Sequence, residues 1–337
     1  MTDSRARCLS GAGTRCTAHT RLYRDGLLVE EGFDVARISD HLGDPRHVVW
    51  LDLLEPDEAD MAVLVEELGL HPLAIEDALH AHQRPKLDRY PDHDFLAAYA
   101  VHRADGEIAT AEVAAFLTDR ALVTVRKDPG VDLRLLLRRW DAAPVVADAV
   151  LAFLLHGLVD ALVDGYQDVV QLLDEEGDAL EADLFAEDVE QRSLQQRTFA
   201  LRAAAADLRR VVLPMREVIS ELRRGDNRLT HERMEPYFRD VEDHLLRVQS
   251  TLDELRETLA AVLDTTLALQ GQRLNETIFK LTAYAAILAV TTAVTGFFGQ
   301  NIPYPGIEQT SGFVASTLLL LGSVIGLYVY FKRKGWL

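Results

Sequence analysis

The stretch LTAYAAILAVTTAVTGFFGQNIPYPG, residues 281–306, decides how this chain is to be read. Its first 18 residues, Leu281 to Phe298, carry no charge. A helix rises about 1.5 Å per residue, so about 20 residues cross a hydrocarbon core about 30 Å thick. Ile278 and Phe279 extend the run past Lys280, whose amine can snorkel to an interface. Yet the stretch holds Thr282, Thr291, Thr292, Thr295, Gly296 and Gly299, and passes into Gln300 and Asn301. A second run, Gly312 to Phe331, has 20 uncharged residues. Two buried core helices are the alternative, but two such runs in succession at the C-terminal end are read as membrane spans, residues 279–299 and 312–331.

The second span is followed by Lys332, Arg333 and Lys334, a positive-inside signal, with Tyr328, Tyr330 and Trp336 placed as interfacial anchors. That orientation puts residues 332–337 in the cytoplasm as a basic tail. Two crossings return the large N-terminal part to the same side and leave residues 300–311 as the outer loop. The expected location is therefore a multi-pass protein of the cell (inner) membrane with both termini cytoplasmic. Gly322 and Gly326 form a G-x-x-x-G that allows close helix packing, a motif frequent by chance.

Charge divides the 337-residue chain. Its formal net charge is −19, yet residues 279–337 carry +3 and the remainder −22. An acidic soluble part argues against nucleic acid as a partner and suits cations. Cys8 and Cys16, the only cysteines, lie in a polar N-terminal stretch; a disulfide framework is not expected there, and a reducing cytosol is the simpler reading. Residues 1–20 lack a secretory apolar run and are read as a flexible tail.

Residues 21–144 read as a cytoplasmic α/β domain. HVVWLDL (47–53), DFLAAYAV (94–101), TAEVAAFLT (110–118) and ALVTVRK (121–127) are short runs typical of strands. Residues 56–69, 71–80 and 131–140 have helical periodicity. From Val145 to Ile278 the pattern is long-helical. One helix covers LLHGLVDALVDGYQDVVQLLDEEGDALEADLF, and a second runs from Glu187 to Arg224 across Pro214. A third begins near Pro236; continuous to Gly299 it would span 64 residues, a stalk of roughly 95 Å. Between Asp174 and Glu190 nine acids occur with no lysine or arginine, read first as a solvated helix tip and second as a field that concentrates cations.

Along that third helix, spacings of four and three select Asp264, Ala268, Gly271, Asn275, Ile278, Thr282, Ala285, Ala289, Thr292, Gly296 and Gly299. A seven-residue repeat keeps such a stripe on one face of a gently supercoiled helix. Small residues suit a helix–helix seam. They also suit a pore lining, where they leave room and threonine or asparagine meets water. Asp264 and Asn275 favour the pore, because a dry seam would prefer leucine there. One chain with two spans cannot enclose a pore, so several copies must surround it.

Four blocks carry a resemblance to a known family: HPLAIEDALHAHQRPKLDRY (71–90), EPYFRDVEDHLLRV (235–248), LDTTLALQGQRLNETIFKLT (263–282) and YFKRKGWL (330–337). With the order of domain, stalk and spans, the chain resembles the CorA-type divalent-cation channels from about His71 to Leu337. That family's Gly-Met-Asn signature reads Gly299-Gln300-Asn301 here, and zinc-transporting relatives also vary at the middle position. The resemblance implies a homopentameric funnel: an α/β cytoplasmic domain, long stalk helices and two C-terminal transmembrane helices, the first lining the pore. It implies a selectivity filter at Gly299, Gln300 and Asn301, in which Gly299 carbonyls and the Asn301 amide hold a hydrated cation at the outer entrance, while Gln300 either adds an amide ring or points away into packing. Asn275 and Thr292 match polar pore positions, Asp264 an acidic ring, and Ile278 and Leu281 an apolar constriction. The helical stripe prefers Thr282 to Leu281 at that depth.

The resemblance further implies a regulatory Mg2+ site between subunits, with Asp77 and Asp240 as its acids, Glu76 and His244 nearby and Asp243 assisting; Asp164 is a further candidate by position. Taken alone, each of these is an ordinary exposed side chain. The expected activity is influx of Mg2+, with Co2+ or Ni2+ as further ions, gated by cytoplasmic divalent cation. Its expected partners are further copies of the chain, membrane lipid and the metal ions. A zinc transporter of the same fold and a nonconducting membrane-anchored cation sensor are the alternatives. His80 and His82, two apart, do not share a helix face and make a weak zinc pair. No nucleophile elbow, phosphate-binding loop or Cys/His array is present, so no enzymatic role is expected.

Overall fold

Along the strand His47–Leu54, Val49 and Leu51 belong to one hydrophobic cluster and Trp50 to another, and all three are fully buried. Successive side chains of a strand point to opposite faces, so a strand buried on both sides belongs to a sheet covered on both sides. The structure, a computed structural model, describes residues 16–80, 84–104, 107–129, 133–142, 149–186, 191–224, 232–300 and 309–337. Among them are the strands β1 (Thr17–Arg24), β2 (Leu27–Glu31), β3 (His47–Leu54), β4 (Lys86–Arg89), β5 (Asp94–Ala104), β6 (Glu107–Leu117) and β7 (Ala121–Arg126). They form one sheet in the order β2-β1-β3-β7-β6-β5-β4. The central β3–β7 pair is parallel and the other pairs are antiparallel.

Helices α1 (Ile38–Leu42), α2 (Glu58–Leu68) and α3 (Pro72–Leu79) supply Ile38, Met61, Leu64, Ala74 and Ala78 to the cluster on one face. Helices α4 (Leu133–Ala142), α5 (Val150–Asp183), α6 (Gln191–Arg223) and the first part of α7 (Glu235–Phe298) build the cluster on the other. Between the faces, Asp52 accepts hydrogen bonds from Thr124 at 2.7 Å and from the Arg126 guanidinium at 2.9 and 2.7 Å. Asp52 and Arg126 are both buried, and this network ties the parallel strand pair together. Helix starts follow local chemistry. Asp57 and Asp60 form a capping box on α2, and His71 caps α3 ahead of Pro72.

The chain divides into two compact units, Met1–Ala260 and Ala261–Leu337. The long helices α5 and α6 lie in the same unit as the sheet. Among the described residues three helices are long and apolar enough to cross a membrane. In α5, 61% of the apolar window is buried inside the chain, against 6% for α7 and none for α8 (Thr310–Arg333). The apolar face of α5 is spent on the sheet, which leaves the two spans read from the sequence. In the second unit Trp336 stacks on Phe279 at 4.9 Å and on Phe331 at 5.3 Å. The expected interfacial tryptophan therefore packs the end of α8 onto the start of the α7 span.

Two expectations need correction. β1 begins at Thr17, so residues 17–20 belong to the sheet and not to the tail. Cys16 is disulfide-bonded, where no disulfide was expected. The only other cysteine, Cys8, lies outside the described residues.

Candidate functional site

Helix α7 is one uninterrupted element of 64 residues. In the span, Ala283 is fully buried. Ile287, Val290, Val294 and Phe298, which share its face, are partly buried. Asp264, Ala268, Gly271, Asn275, Ile278, Thr282, Ala285, Ala289, Thr292, Gly296 and Gly299 are all exposed. At 100° per residue Ala285, Ala289, Thr292, Gly296 and Gly299 lie on the far side of the helix from Ala283, and Thr282 lies at its flank. The chain therefore covers one side of α7 with its own residues and leaves the other bare, where Leu281 and Leu288 are exposed beside the small and hydroxyl-bearing residues. Leu281 and Thr282 are both exposed, so burial does not choose between them for the constriction.

Each span threonine donates its hydroxyl to the carbonyl four residues back: Thr282 to Ile278 at 2.8 Å, Thr291 to Ile287 at 2.8 Å, Thr292 to Leu288 at 2.9 Å and Thr295 to Thr291 at 3.0 Å. The proton is thus spent on the helix, and the oxygen lone pairs of Thr282 and Thr292 face outward as acceptors. Gly271 and Gly296 have open space where a Cβ would stand. At Gly299 a Cβ would come within 3.1 Å of the Thr295 carbonyl oxygen, so a side chain is tight there. Gly299 and Gln300 follow the last turn, where carbonyls and the negative end of the helix dipole favour a cation. Asn301 lies outside the described residues.

The second group of candidates lies on α5 and α7. His156, Asp160 and Asp164 recur every four residues on α5, one face of a helix. One donor atom from each of Asp160, Asp164 and His244 lies within 4.8 Å of the others. They line a cavity of about 570 Å3 with Arg139, His156 and Asp240. His244 Nε2 stands 3.6 Å from an Asp240 oxygen, and its Nδ1 is buried with no hydrogen-bond partner among the described residues. Burial, reinforced by the Asp164 charge, pushes the Asp160 carboxyl up although Arg139 touches it. Burial also pulls the His156 imidazole down, so the ring is held neutral. Carboxylates with an imidazole suit divalent ions from Mg2+ to Co2+, Ni2+ and Zn2+.

Local packing explains why these groups meet. Gly157, beside His156, lets α4 approach α5: a Cβ there would fall 2.3 Å from Trp140 Nε1. Trp140 is buried and set edge-on to Trp50 at 4.9 Å. Arg139, next to it, reaches Asp160 at 2.9 Å and also pairs with Asp164.

The expected regulatory residues separate into two places. Asp164, Asp240 and His244 meet at this cavity. Asp77 instead pairs with Lys86 at 2.7 Å, and Lys86 equally with Asp88 at 2.7 Å. Burial works against that ammonium, but the two carboxylates outweigh it and hold Lys86 above its usual value. Glu76 and Asp243 are exposed. Asp160, His156 and Arg139 were not singled out from the sequence; the four-residue spacing on α5 was the available signal, hidden inside a helix read for its apolar face. The acidic tip is partly matched, Glu176 by Arg103 and Asp183 by Arg197 at 2.6 Å. Burial and then Asp178, Glu254 and Glu175 push the Asp174 carboxyl up. His80 turns its Nδ1 to the Glu76 carbonyl at 2.9 Å, and His82 lies outside the described residues.

Comparison with known proteins followed the same outline. The family model described as CorA-like Mg2+ transporter protein matches residues 45–333. The chain is 30% identical over 297 residues to the cobalt/magnesium transport protein CorA of Thermotoga maritima, covering 86% of this chain and 83% of that protein. It is 26% identical over 306 residues to the zinc transport protein ZntB of Yersinia enterocolitica, covering 86% and 88%. The complete structure of the CorA magnesium transporter from Methanocaldococcus jannaschii superposes with a TM-score of 0.80 at 22% identity, over 95% of this chain and 98% of that one.

Proposed function

Because this chain belongs to the CorA-like Mg2+ transporter family, and so to the divalent cation transporters, we propose that it is one subunit of a homopentameric funnel admitting Mg2+ to the cytoplasm. The observation that carries this reading is the bare stripe of α7, whose members from Asp264 to Gly299 are all exposed, while from Ala283 to Phe298 the chain covers the other side of the helix. Symmetric copies placed around an axis would turn those stripes toward one another.

In this reading Gly299 carbonyls and the Gln300 and Asn301 amides ring the outer entrance. Mg2+ sheds water reluctantly, so neutral oxygens that hydrogen-bond to its water shell can hold the hydrated ion without trapping it. The outward lone pairs of Thr292 and Thr282 accept from the same waters further in. Ile278 or Leu281 forms the apolar constriction, and Asn275 and Asp264 receive the ion beyond it. A negative interior favours entry by about 2.3 kcal/mol per charge per 100 mV.

Gating follows from the cytoplasmic acids. Asp77 of one subunit and Asp240 of the next repel unless a cation lies between them, and Asp160, Asp164 and His244 bind a cation within the chain. Loss of internal ion loosens the ring, a population shift biased by ligand. The test is Mg2+ uptake into liposomes holding the full chain, with Asn301→Ala expected to abolish it. Silent wild-type liposomes would sink the proposal. A zinc transporter is the second reading, favoured by the imidazole donor at His244 and by Gln300; zinc uptake without Mg2+ uptake would select it.

A further inference from the structure

We propose that the Arg139 guanidinium is a tethered competitor for the divalent cation at the Asp160–Asp164–His244 site, so that its release sets the concentration at which the site fills. The inference rests on the metal-binding reading of that cavity and adds a regulator to it. Arg139 spans two carboxylates one helical turn apart, Asp160 at 2.9 Å and Asp164 in direct contact. These carboxylates provide two of the three donor groups of the candidate site.

A guanidinium has only donors, so it can neutralise these oxygens but cannot join them as a ligand. It is also charged at every physiological pH, which makes the competition independent of proton concentration on the arginine side. The neighbouring Trp140 is buried against Gly157 and Trp50, which fixes the backbone at the cavity wall. The Arg139 side chain itself is 39% exposed, so it has room to swing into water. The pocket also contains Asp240, and one arginine does not offset three acids. A divalent ion supplies the missing charge, but it reaches Asp160 and Asp164 only by loosening the guanidinium. A similar arrangement on Lys86 bridges Asp77 and Asp88, so basic side chains occupy both groups of proposed sensing acids.

The experiment uses the full chain in detergent, with thermal unfolding followed by tryptophan fluorescence during titration with MgCl2 and, separately, CoCl2. Arg139→Gln should unfold at lower temperature without metal, because the acids lose their counter-charge. The same variant should reach half-maximal metal stabilisation at about fivefold lower ion concentration, the scale of two partly exposed pairs of about 0.5 kcal/mol each. Arg139→Lys, which can reach one carboxylate at a time, should fall between the two and serves as the test if the glutamine variant does not fold. A midpoint that is unchanged or higher in these variants overturns the competitor role. Asp164→Asn separates the layers of the argument. If it abolishes the metal-dependent rise while Arg139 variants leave the midpoint in place, the site stands and the competitor fails. If it leaves the rise and its midpoint intact, the site itself is wrong and the inference falls with it.

Discussion

Thr291 and Thr292 are neighbours with nearly the same local bonding, yet valine should slow transport at Thr292 and leave it nearly unchanged at Thr291. Each hydroxyl donates to the carbonyl four residues back, at 2.8 and 2.9 Å. Valine is close to threonine in shape, so either change removes one oxygen and one hydrogen bond worth about 0.5–1.5 kcal/mol. Within a single chain the two variants should therefore unfold together. Their faces differ: Thr291 is partly buried on the covered side and Thr292 is exposed on the stripe. If the stripe lines a pore, Thr292→Val removes a whole ring of acceptors from the path of a hydrated ion. An ion whose waters touch two such oxygens at once loses about 2 kcal/mol, a factor of about thirty in rate. Mg2+ uptake into liposomes, read with an internal fluorescent indicator and normalised to protein content, measures the ratio. Thr291→Val should keep uptake within about twofold of the wild type, since its oxygen faces the chain's own packing. Equal losses at the two positions, or none at Thr292, would refute the assignment of the faces.

Two further outcomes test the fold that positions the acidic site. Gly157→Ala places a Cβ 2.3 Å from Trp140 Nε1, about 1.1 Å inside the 3.4 Å at which ordinary contact begins. The clash, about 1–3 kcal/mol, exceeds or cancels the helix-propensity gain of up to about 1 kcal/mol, so melting temperature should fall or hold while Trp140 emission changes; a clear rise would mean that α4 and α5 are not in tight contact. Asp52→Ala leaves the buried Arg126 charge without its carboxylate and should cost about 3–5 kcal/mol, whereas Asp52→Leu with Arg126→Met should be near neutral in thermal unfolding.

The membrane-spanning part of this protein was legible in its sequence because its constraints are local. A bilayer demands an uncharged run of fixed length, and a long helix demands the absence of proline. Both can be counted, and α7 ends at Phe298 within one residue of the expected Gly299. The stripe from Asp264 to Gly299 is a matter of angular spacing, so its common face was also available from residue numbers. Among the strands, β3, β5, β6 and β7 were readable because their apolar, β-branched runs are buried on both faces.

The edge strand β4 and the strand β1, next to the other edge, were not readable. Both are rich in arginine, lysine or threonine, and they are strands because a neighbour offers them a ladder, not because of their own preference. The same holds for the acidic cavity. That His156, Asp160 and Asp164 share a face is local, but their meeting with His244, about eighty residues further on, and with Arg139 depends on α4 settling against Gly157. Sequence spacing establishes which groups one element presents together. Only packing decides which charge from another element comes to oppose them, because that distance is set by the shapes of Trp140, Trp50 and a glycine and by no periodicity in the chain.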